Sequence, residues 1–295
     1  MTGVAASPPD ILERAAAVAG VDISGALLLR NGAHAIFELR DGIVARIGNP
    51  HTAEAAHREL QISKWLNASG IPTVEAVESL AQPLIIDDCS VTWWRLIPDH
   101  RPATPAELGA ALSRLHTLDP PPIFDLLEYQ PFAGIHTRIN TTTTLTDEVR
   151  EWLIQHYATL RQRYDRLAPT YRRSVVHGDA WQGNLVVPPS GIPVFLDLDK
   201  VSLGRPEWDL VQLAVDYTDF TRLTTVGYRS FVDAYGGCDI TAEPEFRIFA
   251  DIQELRWATF VLGLSHRDPS VRNEAGHRIA CLRGRVPMPW TWNAL

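Results

Sequence analysis

The stretch Val175-Val176-His177-Gly178-Asp179-Ala180-Trp181-Gln182-Gly183-Asn184-Leu185, followed after a turn by Phe195-Leu196-Asp197-Leu198-Asp199, interrupts an otherwise helical pattern in the second half of the chain. Two short apolar runs, 185–187 and 194–196, flank a turn at 188–191 and read as a hairpin. Asp179 and Asn184 can flank one loop, and the hairpin can return Asp197 beside them. Such a set offers one carboxylate as a proton acceptor, with an amide oxygen and a second carboxylate as hard ligands that suit Mg²⁺ and nucleotide phosphates. An Asp is a weak base, but transfer of a phosphoryl group through a loose transition state needs an oriented hydroxyl more than early deprotonation.

Outward from this segment the chain divides by pattern. On its N-terminal side, residues 105–167 carry helical signals, and the clearest is Thr104 as N-cap with Pro105 first in the helix and Glu107 three residues after the cap. Leu108, Leu112 and Leu115 supply its buried stripe. A long helix follows the Thr-rich run 141–144, with Leu145, Val149, Leu153, Leu160 and Leu167 as its apolar positions. On the C-terminal side, helices are predicted over 207–217, 225–235, 244–264 and 269–283. Residues 1–97 read differently. Capping-box spacing at Asp10 and Glu13 predicts a short helix ending near Gly20, and strands are predicted over 26–29, 35–39, 43–47, 74–79, 84–87 and 91–97, with one helix at 52–68 inserted among them. Asn31-Gly32 and Asp41-Gly42 favour tight turns, so the first three strands form a meander. The predicted class is α+β: a bilobal chain with a small antiparallel-sheet N-terminal lobe, 1–97, and a larger, mostly helical C-terminal lobe, 98–295.

Composition narrows the partners. The chain of 295 residues has 27 Lys plus Arg against 35 Asp plus Glu, a net charge of −8, which argues against duplex nucleic acid or anionic lipid as the main partner. No apolar run approaches the roughly 20 residues of a membrane span, no secretory signal is visible, and the three cysteines have no metal-ligand spacing. A cytoplasmic monomer or homodimer is the expectation. Only two of the 27 basic residues are lysines, Lys64 and Lys200.

The pattern His177-Gly178-Asp179, four variable residues and Asn184, then an apolar residue and Asp197 after a short hairpin, resembles the aminoglycoside phosphotransferase and choline kinase superfamily, the protein-kinase-like small-molecule kinases. The resemblance runs from about residue 28 to 264. It implies ATP and Mg²⁺ as cofactors, Asp179 as the catalytic residue, Asn184 and Asp197 as the metal pair, His177 as support for the loop from its base, and Asp209 as the anchor of that loop from the next helix. Arg205 stands where the family usually has an Asp. In the N-terminal lobe the resemblance assigns the turn 30–34 to the phosphates, Arg46 to the Lys or Arg position that contacts the α- and β-phosphates, and Glu59 to its ion-pair partner. An Arg offers phosphate a fixed fork where a lysine offers a point charge. Segment 92–97 matches the linker to the adenine edge, with Trp93, Trp94 and Leu96 at hand to pack around the ring. Trp94 and Leu96 are assigned to cofactor binding.

The acceptor is expected in the helical lobe. Between 205 and 254 ten acidic residues face four basic ones, so Asp216, Asp219 and Glu254 are candidate ligands of a cationic acceptor. Trp290 and Trp292, in an apolar tail, are candidate stacking groups. The favoured function is ATP-dependent O-phosphorylation of a small-molecule hydroxyl, with an aminoglycoside or other cationic antibiotic as acceptor. The alternatives are a metabolic sugar, amino-sugar or choline-like kinase, and a nucleotide-binding pseudokinase with a regulatory role.

Overall fold

The computed structural model describes residues 6–32, 34–167 and 173–293. The chain forms two compact units: residues up to Ala103 together with Gln182–Val201, and Thr104–Trp181 together with Ser202 onward. The first is the small sheet lobe and the second the larger helical lobe. The hairpin segment of the second half is thus packed with the first unit, which a single boundary between 97 and 98 does not capture.

In the first unit the strands β1 (Leu27–Asn31), β2 (Ala35–Glu38), β3 (Ile43–Pro50), β4 (Leu84–Ile86) and β5 (Cys89–Arg95) form one antiparallel sheet in the order β1-β2-β3-β5-β4. The register aligns Ala35, Ile47 and Val91 in one row and Phe37, Ala45 and Trp93 in another. All six are buried and pack on Ile11, Leu12, Ala15 and Ala16 of helix α1 (Pro8–Ala19). Because side chains alternate across a strand, the residues between them, Ile36, Val44, Arg46 and Trp94, share the opposite face. α1 begins one turn earlier than its spacing suggested. Ser7 is the cap, and Asp10, at the third helical position, accepts hydrogen bonds from the Ser7 amide and hydroxyl at 3.1 and 2.6 Å.

Helix α2 (Ala53–Ala68) turns Ala56, Glu59, Ile62, Ser63 and Leu66 inward. The strand expected over 74–79 is not one: it meets β5 only in the single bridge of Ala76 to Trp94, beyond the residues 89–91 that pair with β4. A small sheet of β6 (Arg101–Pro102), β8 (Leu185–Val187) and β9 (Val194–Phe195) carries the hairpin. Phe195 ties it to the unit, donating its amide to Pro72 O at 3.0 Å and accepting from the Val74 amide at 2.9 Å.

The second unit contains α3 (Pro105–Leu115), α4 (Ile135–Thr141), α5 (Asp147–Asp165), a ribbon of β7 (Ser174–Val176) with β10 (Ser202–Gly204), then α6 (Glu207–Thr218), α7 (Thr225–Tyr235), α8 (Phe246–Leu264) and α9 (Pro269–Leu282). The Thr104 capping box is present, with Glu107 accepting from the Thr104 amide at 2.8 Å. α3 lies tightly on α7 through Gly109, where a Cβ would come within 2.4 Å of the Phe231 carbonyl oxygen. α4 carries no cap or periodic stripe in the sequence and was not anticipated. α5 starts at Asp147, because Thr146 caps it through the Val149 amide at 3.4 Å and leaves Leu145 outside. Among the described residues no helix is long and apolar enough to cross a membrane.

The two-row core makes a direct demand on stability. Trp93 is fully buried, so Trp93→Ala should cost about 3–5 kcal/mol in denaturant unfolding. Ile123, 84% exposed, should tolerate Ala within about 0.5 kcal/mol.

Candidate active site

The sheet face opposite α1 borders a cavity of about 320 Å³ within the first unit, lined by Arg46, Glu59, Trp94, Leu96, Asn184 and Asp197 among others. These are all four expected cofactor residues and both expected metal ligands. The alternation of β5 explains the choice among the aromatic residues: Trp93 points to the core with α1, while Trp94, one residue on, lines the cavity and donates its indole N–H to Thr92 Oγ1 at 2.8 Å. The Leu96 amide is bound to Gly42 O at 2.8 Å and the Arg95 amide to Glu75 O at 2.8 Å. The part of 92–97 inside β5 is therefore paired strand rather than an open linker.

Arg46 organises the polar end of the cavity. Its guanidinium pairs through Nη1 with Glu59 and through Nη2 with Asp197, at 3.4 Å. The Arg46 and Glu59 side chains are only 12% and 7% exposed. Burial pushes the Glu59 carboxyl up, and Arg46 pulls against that. Either partner alone would be an uncompensated buried charge. Asp197 follows the hairpin, and the Leu196 amide donates to Asn184 O at 2.9 Å, which brings the two expected metal ligands to one end of β8 and β9. Asp197 adopts φ +55°, ψ +64°, a left-handed conformation that costs a non-glycine residue about 1–2 kcal/mol and clusters at functional positions. An amide oxygen and a carboxylate are the donor chemistry Mg²⁺ takes, with phosphate oxygens and water completing its shell. Among the described residues no group of three or more His, Cys, Asp or Glu gathers for a protein-only metal cage.

His34, which the sequence reading did not single out, also lines this cavity. Its Nδ1 is buried without a hydrogen-bond partner among the described residues, and burial, with Arg46 adding to it, lowers its pKa to about 4. The turn 30–34 assigned to phosphate contains Ala33, which lies outside the described residues.

Asp179, His177 and Asp209 belong to the second unit. Asp209 is completely buried. Its Oδ2 accepts the His177 amide at 2.6 Å and its Oδ1 the Gly178 amide at 2.7 Å, while His116 Nε2 lies 3.0 Å from Oδ2. His116 Nδ1 in turn lies 2.8 Å from the Tyr235 hydroxyl. Two successive amides held by one carboxylate fix the turn that presents Asp179, with Gly178 at φ +80°. His116 and Tyr235 were missed because nothing local marks a residue whose partner lies 93 positions away.

The acidic and aromatic acceptor candidates occupy other roles. Asp219 and Glu254 are buried and both meet Arg247, at 2.7 and 3.2 Å. Burial drives the Glu254 carboxyl well up, whereas Asp219, despite the same opposing effect, is held low by hydrogen bonds from Glu254 and Arg247. Asp216 pairs with Arg222 at 3.1 Å. Trp290 and Trp292 stack at 5.6 Å, nearly parallel, against Phe220, and both are about 5% exposed. Asp219, Glu254, Trp290 and Trp292 are buried within the unit and Asp216 is half-buried, with each of the three carboxylates against an arginine.

A family model described as the phosphotransferase enzyme family matches residues 27–249. The chain belongs to that family. A stretch of 93 residues is 36% identical to a probable ketoamine kinase of Lactiplantibacillus plantarum, covering 31% of this chain and 30% of that protein, so the chain matches about a third of the length of this curated relative. Among solved structures, an amicoumacin kinase in complex with AMP-PNP, Ca²⁺ and its ligand aligns over 96% of this chain and 95% of its own, with TM-score 0.71 and 14% identity. A choline kinase from Streptococcus pneumoniae aligns over 92% and 98%, with TM-score 0.64 and 15% identity. An aminoglycoside phosphotransferase from Streptomyces rimosus aligns over 77% and 92%, with TM-score 0.60 and 19% identity. These are likenesses of fold, at 14–19% identity, to kinases of small molecules.

Two outcomes follow from the geometry. Asp209→Asn keeps one acceptor oxygen but sets an NH₂ group against the other of the two backbone donors, and should destabilise the protein by about 1–3 kcal/mol, read by denaturant titration. His34 keeps its proton less readily in the folded chain than in the unfolded one, so the stability it supports is full above its unfolded value of 6.5 and declines as pH falls toward about 4. His34→Gln should flatten that limb of a stability–pH profile; an unchanged profile would remove His34 as its source.

Proposed function

We propose that the protein is an ATP-dependent O-phosphotransferase acting on a small-molecule hydroxyl. The observation that carries this reading is the single cavity that gathers Arg46, Glu59, Trp94, Leu96, Asn184 and Asp197. Trp94 and Leu96 pack the base, Arg46 holds phosphate oxygens through its fork, and Glu59 holds Arg46. Asn184 and Asp197 would hold Mg²⁺, which supplies charge neutralisation at the phosphates when bound. Asp179 orients the acceptor hydroxyl. As the acceptor oxygen bonds to the γ-phosphorus and the bond to the bridging oxygen breaks, releasing ADP, the hydroxyl proton passes to the Asp179 carboxylate. His177 and Asp209 keep that carboxylate in place.

For the acceptor, an aminoglycoside or other cationic antibiotic draws support from the names of the solved relatives, and a metabolic kinase draws it from the ketoamine kinase match. The carboxylates of Asp216, Asp219 and Glu254 add nothing to the first, since each is paired with an arginine. A pseudokinase would lack one of the site positions, and here every one is filled.

Asp179→Ala should leave AMP-PNP affinity within about twofold while lowering transfer by about 10³ or more, because its contribution is made in the transition state. Calorimetry and product mass spectrometry over a panel of alcohols with ATP and Mg²⁺ read the two effects. Asp197→Asn should weaken Mg²⁺-dependent nucleotide binding far more than Asp199→Asn. Wild-type turnover in the Asp179 variant, or equal metal dependence in the two others, would reject the assignments.

A further inference from the structure

The second unit holds two arginines that no carboxylate balances among the described residues, one tied to the Asp179 loop and the other packed further along α8. Tyr129 donates its hydroxyl to the Gly178 carbonyl oxygen at 3.2 Å, one residue before Asp179. Arg256, on α8, donates through Nη1 to that hydroxyl and to Gln253 Oε1, and lies over the Tyr129 ring with Cζ 5.4 Å from its centre. Among the described residues its Nη2 and Nε bind nothing. Arg138, on α4, lays its aliphatic stem within 3.4 Å of the Cβ position of Gly263, two turns further along α8, and makes no side-chain hydrogen bond or ion pair among the described residues.

Both side chains are half-buried, and the charge of Arg256 is felt at Arg138, where it adds to burial in disfavouring the charged form. Burial raises the Tyr129 hydroxyl to about 12, so it stays neutral and cannot serve as their counter-charge. Elsewhere in this unit Arg247 meets three carboxylates, Arg222 meets Asp216 and Arg278 meets Glu274, while Arg150, with no acidic partner among the described residues, spends its fork on the carbonyls of Ile139, Asn140 and Thr142. Two like charges held out of bulk water without an anion are unfavourable, in a chain whose net charge is −8 and which has carboxylates to spare. A guanidinium with its fork unspent is a receptor for planar or tetrahedral oxyanions.

We propose that Arg256 and Arg138 form an anion subsite beside the Asp179 loop, and that the acceptor carries a carboxylate or phosphate group as well as the hydroxyl it presents to Asp179. This rests on the reading of Asp179 given above. The acceptor is then a hydroxy acid, a hydroxy amino acid or a phosphorylated alcohol, and a purely cationic one meets two repelling charges. Arg256 also serves as a positioning residue, since its contact with Tyr129 is shared with the Gly178 carbonyl.

The test begins with the nucleotide cavity filled by AMP-PNP and Mg²⁺, followed by calorimetric titration with inorganic phosphate. The wild type should bind phosphate, and Arg138→Gln, which leaves the Tyr129 contact untouched, should weaken it about tenfold, the effect of losing a charge-assisted contact. Arg256→Lys, which keeps the charge, should retain more binding than Arg256→Gln. No phosphate binding, or binding indifferent to Arg138→Gln, overturns the subsite. The second arm compares phosphorylation of matched alcohols, ethanolamine against serine and glucitol against gluconate. The acids should be preferred, should displace phosphate, and should lose their advantage through a raised KM in Arg138→Gln. Acids that fail to displace phosphate would assign the site to a free anion and overturn the acceptor class. Arginine-dependent phosphate binding with no alcohol phosphorylated would count against the phosphotransferase reading and leave the subsite standing.

Discussion

One guanidinium holds the first unit's site together. Arg46 projects from the sheet face that α1 does not cover, and its two terminal nitrogens reach carboxylates from different parts of the chain, Glu59 on α2 and Asp197 after the hairpin. A lysine ammonium would be a single point charge at the end of a flexible stem, whereas a planar fork can hold two carboxylates in fixed directions. The arginine that stands where the family admits either residue is thus suited to its setting: it neutralises a buried Glu59 while keeping a second nitrogen on Asp197. In the proposed function, phosphate oxygens would replace Asp197 at the second nitrogen, and Asp197 has the donor chemistry to take a divalent cation.

The second unit solves a related problem with a carboxylate instead of a cation. Asp209 is buried and its two oxygens accept consecutive amides, those of His177 and Gly178, so the turn leading to Asp179 is held by its backbone. Tyr129 holds the carbonyl of the same loop. Donor and acceptor of one short turn are each satisfied by a side chain from elsewhere in the unit, Asp209 and Tyr129. Preorganisation of this kind is what orientation-driven phosphoryl transfer demands.

Much of this was legible from short-range signals. The Thr104 capping box, the α7 limits and the β1–β3 meander are set by residues within a few positions of one another, and the register of the sheet follows from alternation. The hairpin that unites Asn184 with Asp197 was readable for the same reason. What local pattern could not carry was partnership over long separations. Asp216, Asp219 and Glu254 looked like a cationic-acceptor surface because sequence counts charges and does not show Arg222 and Arg247 lying against them. Trp290 and Trp292 looked like a pocket wall because an apolar tail gives no sign that Phe220 awaits it. The segment 74–79 has strand composition, yet it meets β5 in a single bridge at Ala76 and Trp94. Arg256 and Tyr129 are unremarkable in sequence, and their meaning comes from a hydroxyl 3.2 Å from the Gly178 carbonyl.

The central claim is that the cavity around Arg46 receives a nucleotide together with a divalent cation held by Asn184 and Asp197. Calorimetric titration of the wild-type protein with AMP-PNP, in Mg²⁺ and again in excess chelator, tests it most directly. The account predicts one nucleotide per chain, bound about tenfold or more tightly with Mg²⁺ than without it, since the carboxylate of Asp197 would otherwise face phosphate charge. Equal affinity in the two conditions, or no binding in either, would contradict it.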